Sequence, residues 1–267
     1  MSFEVVREGA VASLELDHGK ANEMGSEQLR AFEALLDDLD GVRALITWSR
    51  RRSSRGTPIF IAGANVTERV GWSQDQVRAH VRWQRSVLAR LRRAPIFHVA
   101  VVNGVALGWG TEFLLTCDYR IAADEAVFGL PETGLGILPG AGGTAELATY
   151  VGLGQALRLG MTGERISAEE AARIGLVEEV VSSVDAGLER ARTLAALVAR
   201  KSPTAVASFK AACLAAVGQP PSVRTELEAR AYEHCLHSGE AAIGRANFGA
   251  IRKGEAVPWG PLEPFEA

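Results

Sequence analysis

The sequence predicts an α/β protein. Three observations carry that prediction. Strand-like apolar runs alternate with amphipathic helical patterns through the front part of the chain. Residues 96–102 form an apolar run of the kind found in strands buried on both faces. From about Ser167 onward the pattern is nearly all helical. With 267 residues, 47% of them hydrophobic and 23% charged, the chain is long enough for one large core domain with a C-terminal extension.

Taken in order, residues 11–17 alternate as a strand does, and His18-Gly19-Lys20 turns the chain. Residues 26–39 follow helical spacing, with Ser26 expected at the N-cap. Residues 42–48 are again an apolar strand, 50–58 a polar, basic loop, and Ile59-Phe60-Ile61 a short buried strand ending at Ala62-Gly63-Ala64-Asn65. Residues 74–93 read as a long amphipathic helix, stopped by Pro95 because proline cannot continue it. After the strand at 96–102, Asn103-Gly104 turns the chain, 111–117 has helix-like spacing directly after Gly108-Trp109-Gly110, and 119–123 is another strand. The late helices, 185–199, 203–217, 222–237 and 240–252, are rich in alanine and carry faces suited to close packing, self-association included. No linker or repeat separates them from the front part, and the division expected is a core domain over 1–195 followed by a helical subdomain over 196–267.

Composition narrows the function. A formal net charge of −3 and a pI near 6.0 argue against a protein built mainly to bind nucleic acid, which needs a positive excess. Cys117, Cys213 and Cys235 are widely spaced in apolar or helical surroundings, which speaks against a disulfide framework or a zinc site. Met1-Ser2-Phe3-Glu4 leads into no apolar run and no stretch approaches a membrane span, so the cytoplasm is the expected compartment.

The chemistry concentrates in one region. Asn103-Gly104-Val105-Ala106-Leu107-Gly108-Trp109-Gly110-Thr111-Glu112, Leu130-Pro131-Glu132 and Pro139-Gly140-Ala141-Gly142-Gly143 place two carboxylates among glycine-rich turns in apolar sequence. Charged side chains are rarely buried unless paired or functional, so this pattern points to a catalytic pocket. The N–H groups around Trp109 fall at a predicted helix N-terminus, and Ala62-Gly63-Ala64 follows another buried strand. Together two such loops can stabilise a developing oxyanion.

These segments, with Cys117-Asp118-Tyr119-Arg120-Ile121-Ala122-Ala123 and Phe128-Gly129-Leu130-Pro131-Glu132, closely resemble the crotonase, or enoyl-CoA hydratase/isomerase, superfamily. Lys20-Ala21-Asn22 is similar to the family's N-terminal CoA-contacting turn, and Phe60-Ile61-Ala62-Gly63-Ala64-Asn65 to its first oxyanion loop. The resemblance implies a spiral of ββα repeats with a C-terminal helical trimerisation subdomain, trimers that pair into hexamers, a CoA thioester substrate and a place in fatty acid metabolism. It implies that backbone N–H groups of Ala64 and Trp109 hold the thioester oxygen. It also implies that Lys20, Ala21, Glu23, Ala62, Asn65, Val66, Leu107 and Pro131 contact CoA or the acyl group. In the hydratase branch two glutamates share one water, and Glu112 and Glu132 stand at both matching positions. Glu112 would activate the water, Glu132 would protonate C2, and the Gly140 N–H would help orient the water, with no metal or redox cofactor. The alternatives are another crotonase reaction, such as isomerisation, decarboxylation, thioester hydrolysis or C–C cleavage, and a non-catalytic acyl-CoA-binding protein.

Several residues invite a second reading. Trp109 stands where many relatives of the resembled family have glycine; a backbone donor is unaffected, and the indole is expected to wall the acyl pocket rather than turn into the core. Arg50, Arg51, Arg52 and Arg55 read as a solvated loop ahead of a CoA-phosphate contact. Asn65 replaces a common aspartate. Asp118 is expected to be structural, His98 a satisfied core residue, His234 and His237 surface or packing residues rather than ligands, and Trp72 and Trp83 core residues before pocket lining.

Overall fold

The computed structural model describes residues 3–267. The chain opens with β1 (Phe3–Glu8), β2 (Val11–Leu16), α1 (Ser26–Asp37), β3 (Ala44–Ser49), β4 (Ile59–Ile61) and α2 (Gln74–Arg93). It continues with β5 (Phe97–Val102), β6 (Val105–Leu107), α3 (Trp109–Leu114), β7 (Tyr119–Ala123), β8 (Val127–Gly129), a 3-10 turn over Pro131–Leu135 and α4 (Gly143–Thr162). Then come β9 (Ile166–Ser167), α5 (Ala168–Arg173), β10 (Glu179–Val181), α6 (Val184–Ala199), α7 (Pro203–Ala216), α8 (Pro221–His237), α9 (Glu240–Ala246) and α10 (Phe248–Lys253).

A repeating scheme joins these elements. One sheet has the order β1-β2-β3-β5-β7-β10, the other β4-β6-β8-β9. β3, β5 and β7 enter the first, and β4, β6 and β8 the second, so each turn of chain gives one strand to each sheet and then a helix. This is the ββα spiral that the resemblance implies. Neighbouring strands pair in parallel except β1 with β2 and β8 with β9. β5 sits between β3 and β7 and is buried from His98 through Val102, as its apolar sequence requires.

The main core joins Leu14, Leu16, Phe32, Phe60, Leu91, Phe113 and Phe128 from both sheets and the helices between them. A second core lies where α6 crosses the six-stranded sheet, with Leu188, Ala191 and Ala195 against Ala44, Ile46, Val99, Val101 and Ile121. Residue 195 therefore falls inside a helix that packs on the spiral's sheet, and the boundary expected there cuts an element. α7 is tied to the sheet by Lys210, whose Nζ donates to Ile96 O at 3.0 Å and to Asp118 Oδ2 at 2.8 Å. That pair bears out the structural reading of Asp118, which also accepts from the His98 N–H at 2.7 Å.

Other expectations shift by local chemistry. The N-cap of α1 is Gly25 rather than Ser26, because Gln28 Oε1 reaches back to the Gly25 N–H at 2.9 Å. α2 starts as predicted, through a reciprocal cap in which Ser73 Oγ accepts from the Gln76 N–H at 3.2 Å and Gln76 Oε1 from the Ser73 N–H at 2.8 Å. The helix expected over 240–252 breaks at Asn247 into α9 and α10. α4 has no counterpart in the sequence reading, since glycines 143, 152, 154 and 160 disrupt its apolar pattern and the chain kinks at Gly152. Among the described residues, no helix is long and apolar enough to cross a membrane.

Candidate active site

The small sheet builds the site. β4, β6 and β8 are adjacent and parallel, so their carboxyl ends lie side by side, where open α/β sheets bind ligands. β4 leads into Ala62-Gly63-Ala64, β6 into Gly108-Trp109 and α3, and β8 into Leu130-Pro131-Glu132. Ala64 is half-buried, and neither its N–H nor that of Trp109 donates a hydrogen bond among the described residues. Trp109 opens a helix, where the first N–H groups have no intrahelical partner.

Glu112 and Glu132 are both buried. Glu112 Oε1 accepts from the Ala141 N–H at 2.7 Å and the Gly143 N–H at 2.9 Å. Burial is the main force on its acidity and raises its pKa to about 7; the two N–H donors oppose the rise, the Glu132 charge adds to it and Arg85 lowers it slightly. Burial likewise raises Glu132 above the ordinary carboxylate range. Glu132 Oε2 is buried without a partner among the described residues, a costly state unless a ligand or water fills it. The pair is held close to the strand ends by glycine. A Cβ on Gly108, whose φ is +53°, would come 2.5 Å from Glu132 Oε1, and one on Gly143 would come 3.0 Å from Glu112 Oε1.

Four contributing residues were not named as site residues from the sequence: Ala141, Gly143, Arg85 and Thr111. Ala141 and Gly143 hold Glu112, whereas Gly140 itself is fixed through its carbonyl, which accepts from Arg85 Nε at 2.5 Å. Thr111 Oγ1 donates to Ala106 O at 2.8 Å and Gly129 O at 3.1 Å, locking α3 to β6 and β8 on either side of the glutamates. The two glycines around Ala141 were the available signal for the first; nothing in the spacing marked Arg85.

The turn expected to contact CoA docks on the loop expected to supply the first oxyanion donor. Ala62 N–H donates to Ala21 O at 3.1 Å, Met24 N–H to Gly63 O at 2.9 Å and Asn65 N–H to Met24 O at 2.8 Å, bringing Ala21, Glu23, Ala62 and Asn65 together. Buried Asn22 pins that turn, its Nδ2 donating to Ser49 Oγ and Phe60 O, each at 2.9 Å. Lys20 and Val66 are exposed at its rim, and Leu107 and Pro131 sit at the ends of β6 and β8. The Asn65 side chain turns away, accepting from Thr67 Oγ1 at 2.7 Å and the Glu68 N–H at 3.1 Å.

Trp109 departs from expectation. Its indole is 2% exposed and turns into the main core, tilted against Phe32 and Phe113 at centroid distances of 6.3 and 6.0 Å. The ring meets α1 through Phe32, whereas the Glu112 side chain of the same turn reaches the Ala141 and Gly143 N–H groups. Trp72 instead lines a cavity of about 450 Å³ with Val77, Val81 and Arg85, and Val81 and Arg85 border Gly140. Trp83 faces the other way, donating to Glu33 Oε1 at 2.9 Å beneath Arg30.

The remaining side chains keep their plain roles. Arg50 pairs with Glu15, Arg51 with Asp17 at 3.1 Å, and Arg52 Nη1 donates to Gly56 O at 2.8 Å. His98 is a core residue but not a fully satisfied one: Nε2 meets Thr47 Oγ1 at 2.8 Å, Nδ1 is buried without a partner among the described residues, and burial, with Lys210 and Arg120 nearby, lowers its pKa to about 3, so it is neutral. His234 bonds Glu263 O at 3.1 Å and packs at a tilt against Phe265.

Residues 10–255 match the family model described as Enoyl-CoA hydratase/isomerase. The chain is similar to the short-chain-enoyl-CoA hydratase of Clostridium acetobutylicum, 32% identical over 251 residues that make up 92% of this chain and 94% of the relative. It is 36% identical over 236 residues to YngF of Bacillus subtilis (strain 168), whose name places it among enoyl-CoA hydratases/isomerases, covering 87% of this chain and 88% of that one. The crystal structure of enoyl-CoA hydratase from Bacillus anthracis superposes with a TM-score of 0.87 at 33% identity, covering 97% of this chain and 99% of the other.

Proposed function

The chain belongs to the enoyl-CoA hydratase/isomerase family, and from that premise we propose that it is a hydratase, adding water across the 2,3 double bond of a 2-enoyl-CoA thioester. One observation carries the reading: two buried carboxyl groups, one with an unpartnered oxygen, stand at the ends of adjacent parallel strands beside two undonated N–H groups.

In the proposed reaction the Ala64 and Trp109 N–H groups hold the thioester oxygen. Glu112 takes a proton from water as its oxygen bonds C3, the π electrons move to the thioester oxygen, and the enolate collapses as Glu132 gives its proton to C2. Glu112 ends protonated and Glu132 ionised, and exchange through water restores the pair. Burial raises both pKa values and so makes both groups weaker acids, and in the proposed mechanism the pair holds one proton between them, on Glu132 when water attacks. No metal or redox cofactor takes part. CoA lies along the turn of Lys20, Ala21 and Glu23 and beside Ala62, Asn65, Val66, Leu107 and Pro131. The same reading places the protein in the cytoplasm as a trimer or hexamer. Exposed Leu153, Leu157 and Met161, spaced along one face of α4, and Phe209 on α7 offer apolar surface for that assembly.

Incubation with crotonyl-CoA, followed at the absorbance of the conjugated enoyl thioester, tests the proposal. Loss of the band with appearance of 3-hydroxybutyryl-CoA is expected. A chain that moves a 3-enoyl double bond into conjugation yet leaves crotonyl-CoA untouched is an isomerase instead.

A further inference from the structure

We propose that Arg85 is the positioning residue of the site: its Nε–H holds the Gly140 carbonyl and, through the Gly140–Ala141 peptide unit, sets the N–H that grips Glu112. The chain of contacts is continuous. Arg85 Nε lies 2.5 Å from Gly140 O, and the N–H of the same peptide unit lies 2.7 Å from Glu112 Oε1. A trans peptide is planar, with its C=O and N–H pointing in opposite directions, so a hydrogen bond at either end orients the other. Glycine on one side of that plane leaves it free to rotate unless something outside the loop holds it. A cationic donor on the carbonyl also polarises the peptide and strengthens what its N–H gives.

The setting matches this role. Arg85, like Arg82 and Arg93, makes no ion pair among the described residues, while Arg78, Arg90 and Arg92 of the same helix pair with Asp75, Asp37 and Glu146; of the three unpaired arginines it is Arg85 that reaches Gly140. It borders the same cavity of about 1140 Å³ as Glu112, and its Nη2 comes 3.7 Å from where a Cβ on Gly140 would stand. The groups facing Glu112 are the Ala141 and Gly143 N–H donors of the loop, Glu132 from the 3-10 turn and Arg85 from α2. Without Arg85 the peptide can turn away, Glu112 keeps one donor of two, and its ionised form is disfavoured. The pair's proton then resides more on Glu112, the group that must accept the proton of water.

The role of Glu112 as base rests on the hydratase reading, whereas its grip by Ala141 does not, and the test separates the two. Arg85→Met keeps an apolar side chain out to the position of Nε but removes donor and charge. Arg85→Gln places an uncharged N–H at the same position along the chain as Nε. The Glu112 carboxyl is titrated in the ligand-free protein by difference infrared spectroscopy, with Glu112→Gln as the blank. Arg85→Met is expected to move its midpoint up by about half to one pH unit and to lower kcat on crotonyl-CoA about tenfold at unchanged KM. Arg85→Gln is expected to recover most of both. An unmoved midpoint in Arg85→Met overturns the proposal, as does an Arg85→Gln variant no better than Arg85→Met, since Arg85 would then act by charge alone. If the midpoints move as stated but the wild type does not hydrate crotonyl-CoA, the relay stands and the hydratase reading falls.

Discussion

Glu112 is buried in a fold that would be more stable without its charge. Its pKa rises in the folded protein from the ordinary 4.5 to about 7, so the folded state binds the proton more tightly than the unfolded chain does. The stability this gives is complete below pH 4.5 and is lost as pH rises through about 7. The shift is worth up to about 3 kcal/mol. Glu112→Gln keeps an oxygen for the Ala141 and Gly143 donors and never ionises. Chemical denaturation should find it about as stable as the wild type at pH 5 and more stable by about 1–3 kcal/mol at pH 8, with hydration activity lost. Trp109 makes the opposite trade. Its ring serves the core, while the donor proposed for the site is its backbone N–H, so Trp109→Ala should lose about 3–5 kcal/mol of stability, measured the same way, while Trp109→Phe loses far less. Acyl chain-length preference in the surviving folded protein should be unchanged in Trp109→Phe.

At the scale of elements, what matters is that three parallel strands end together and each hands its chain to a different part of the chemistry. Gly108 is where two of these endings meet. Because a Cβ there would stand 2.5 Å from Glu132 Oε1, at a φ of +53°, Gly108→Ala should displace Glu132 and lower kcat at least tenfold, with a stability loss of about 1–2 kcal/mol for the strained backbone. Steady-state kinetics and a melting curve together check both. Strands β3, β4, β5 and β7 were legible because their apolar runs are dense, and α2 because its amphipathic pattern and its proline stop are side-chain signals. The glutamates were legible because carboxylates among glycines in apolar sequence have few structural uses. α4 was not, since its glycines serve close approach to Glu112 and a kink rather than helical patterning. Arg85 was hidden because its partner is a backbone carbonyl 55 residues away, which leaves no mark on composition or spacing. The ring of Trp109 was misplaced because one position can supply a backbone group to the site and a side chain to the core.

Across the whole molecule, the spiral separates support from chemistry. The six-stranded sheet is sandwiched between the main core and the α6 core, and the Lys210–Asp118 pair anchors the late helices to it. The four-stranded sheet, with no strand longer than three residues, carries the ends that form the candidate site. That division lets loops of half-buried glycine and alanine stay ordered, because the strands before them are pinned by a large core. The central claim is that Glu112 and Glu132 act together on one water. It is tested most directly by kcat for crotonyl-CoA hydration in Glu112→Gln and Glu132→Gln, each shown to be folded. The account predicts a loss of about a thousandfold or more in either variant, and little further loss when the two are combined, because the residues work as a unit. Full turnover in either single variant would contradict it.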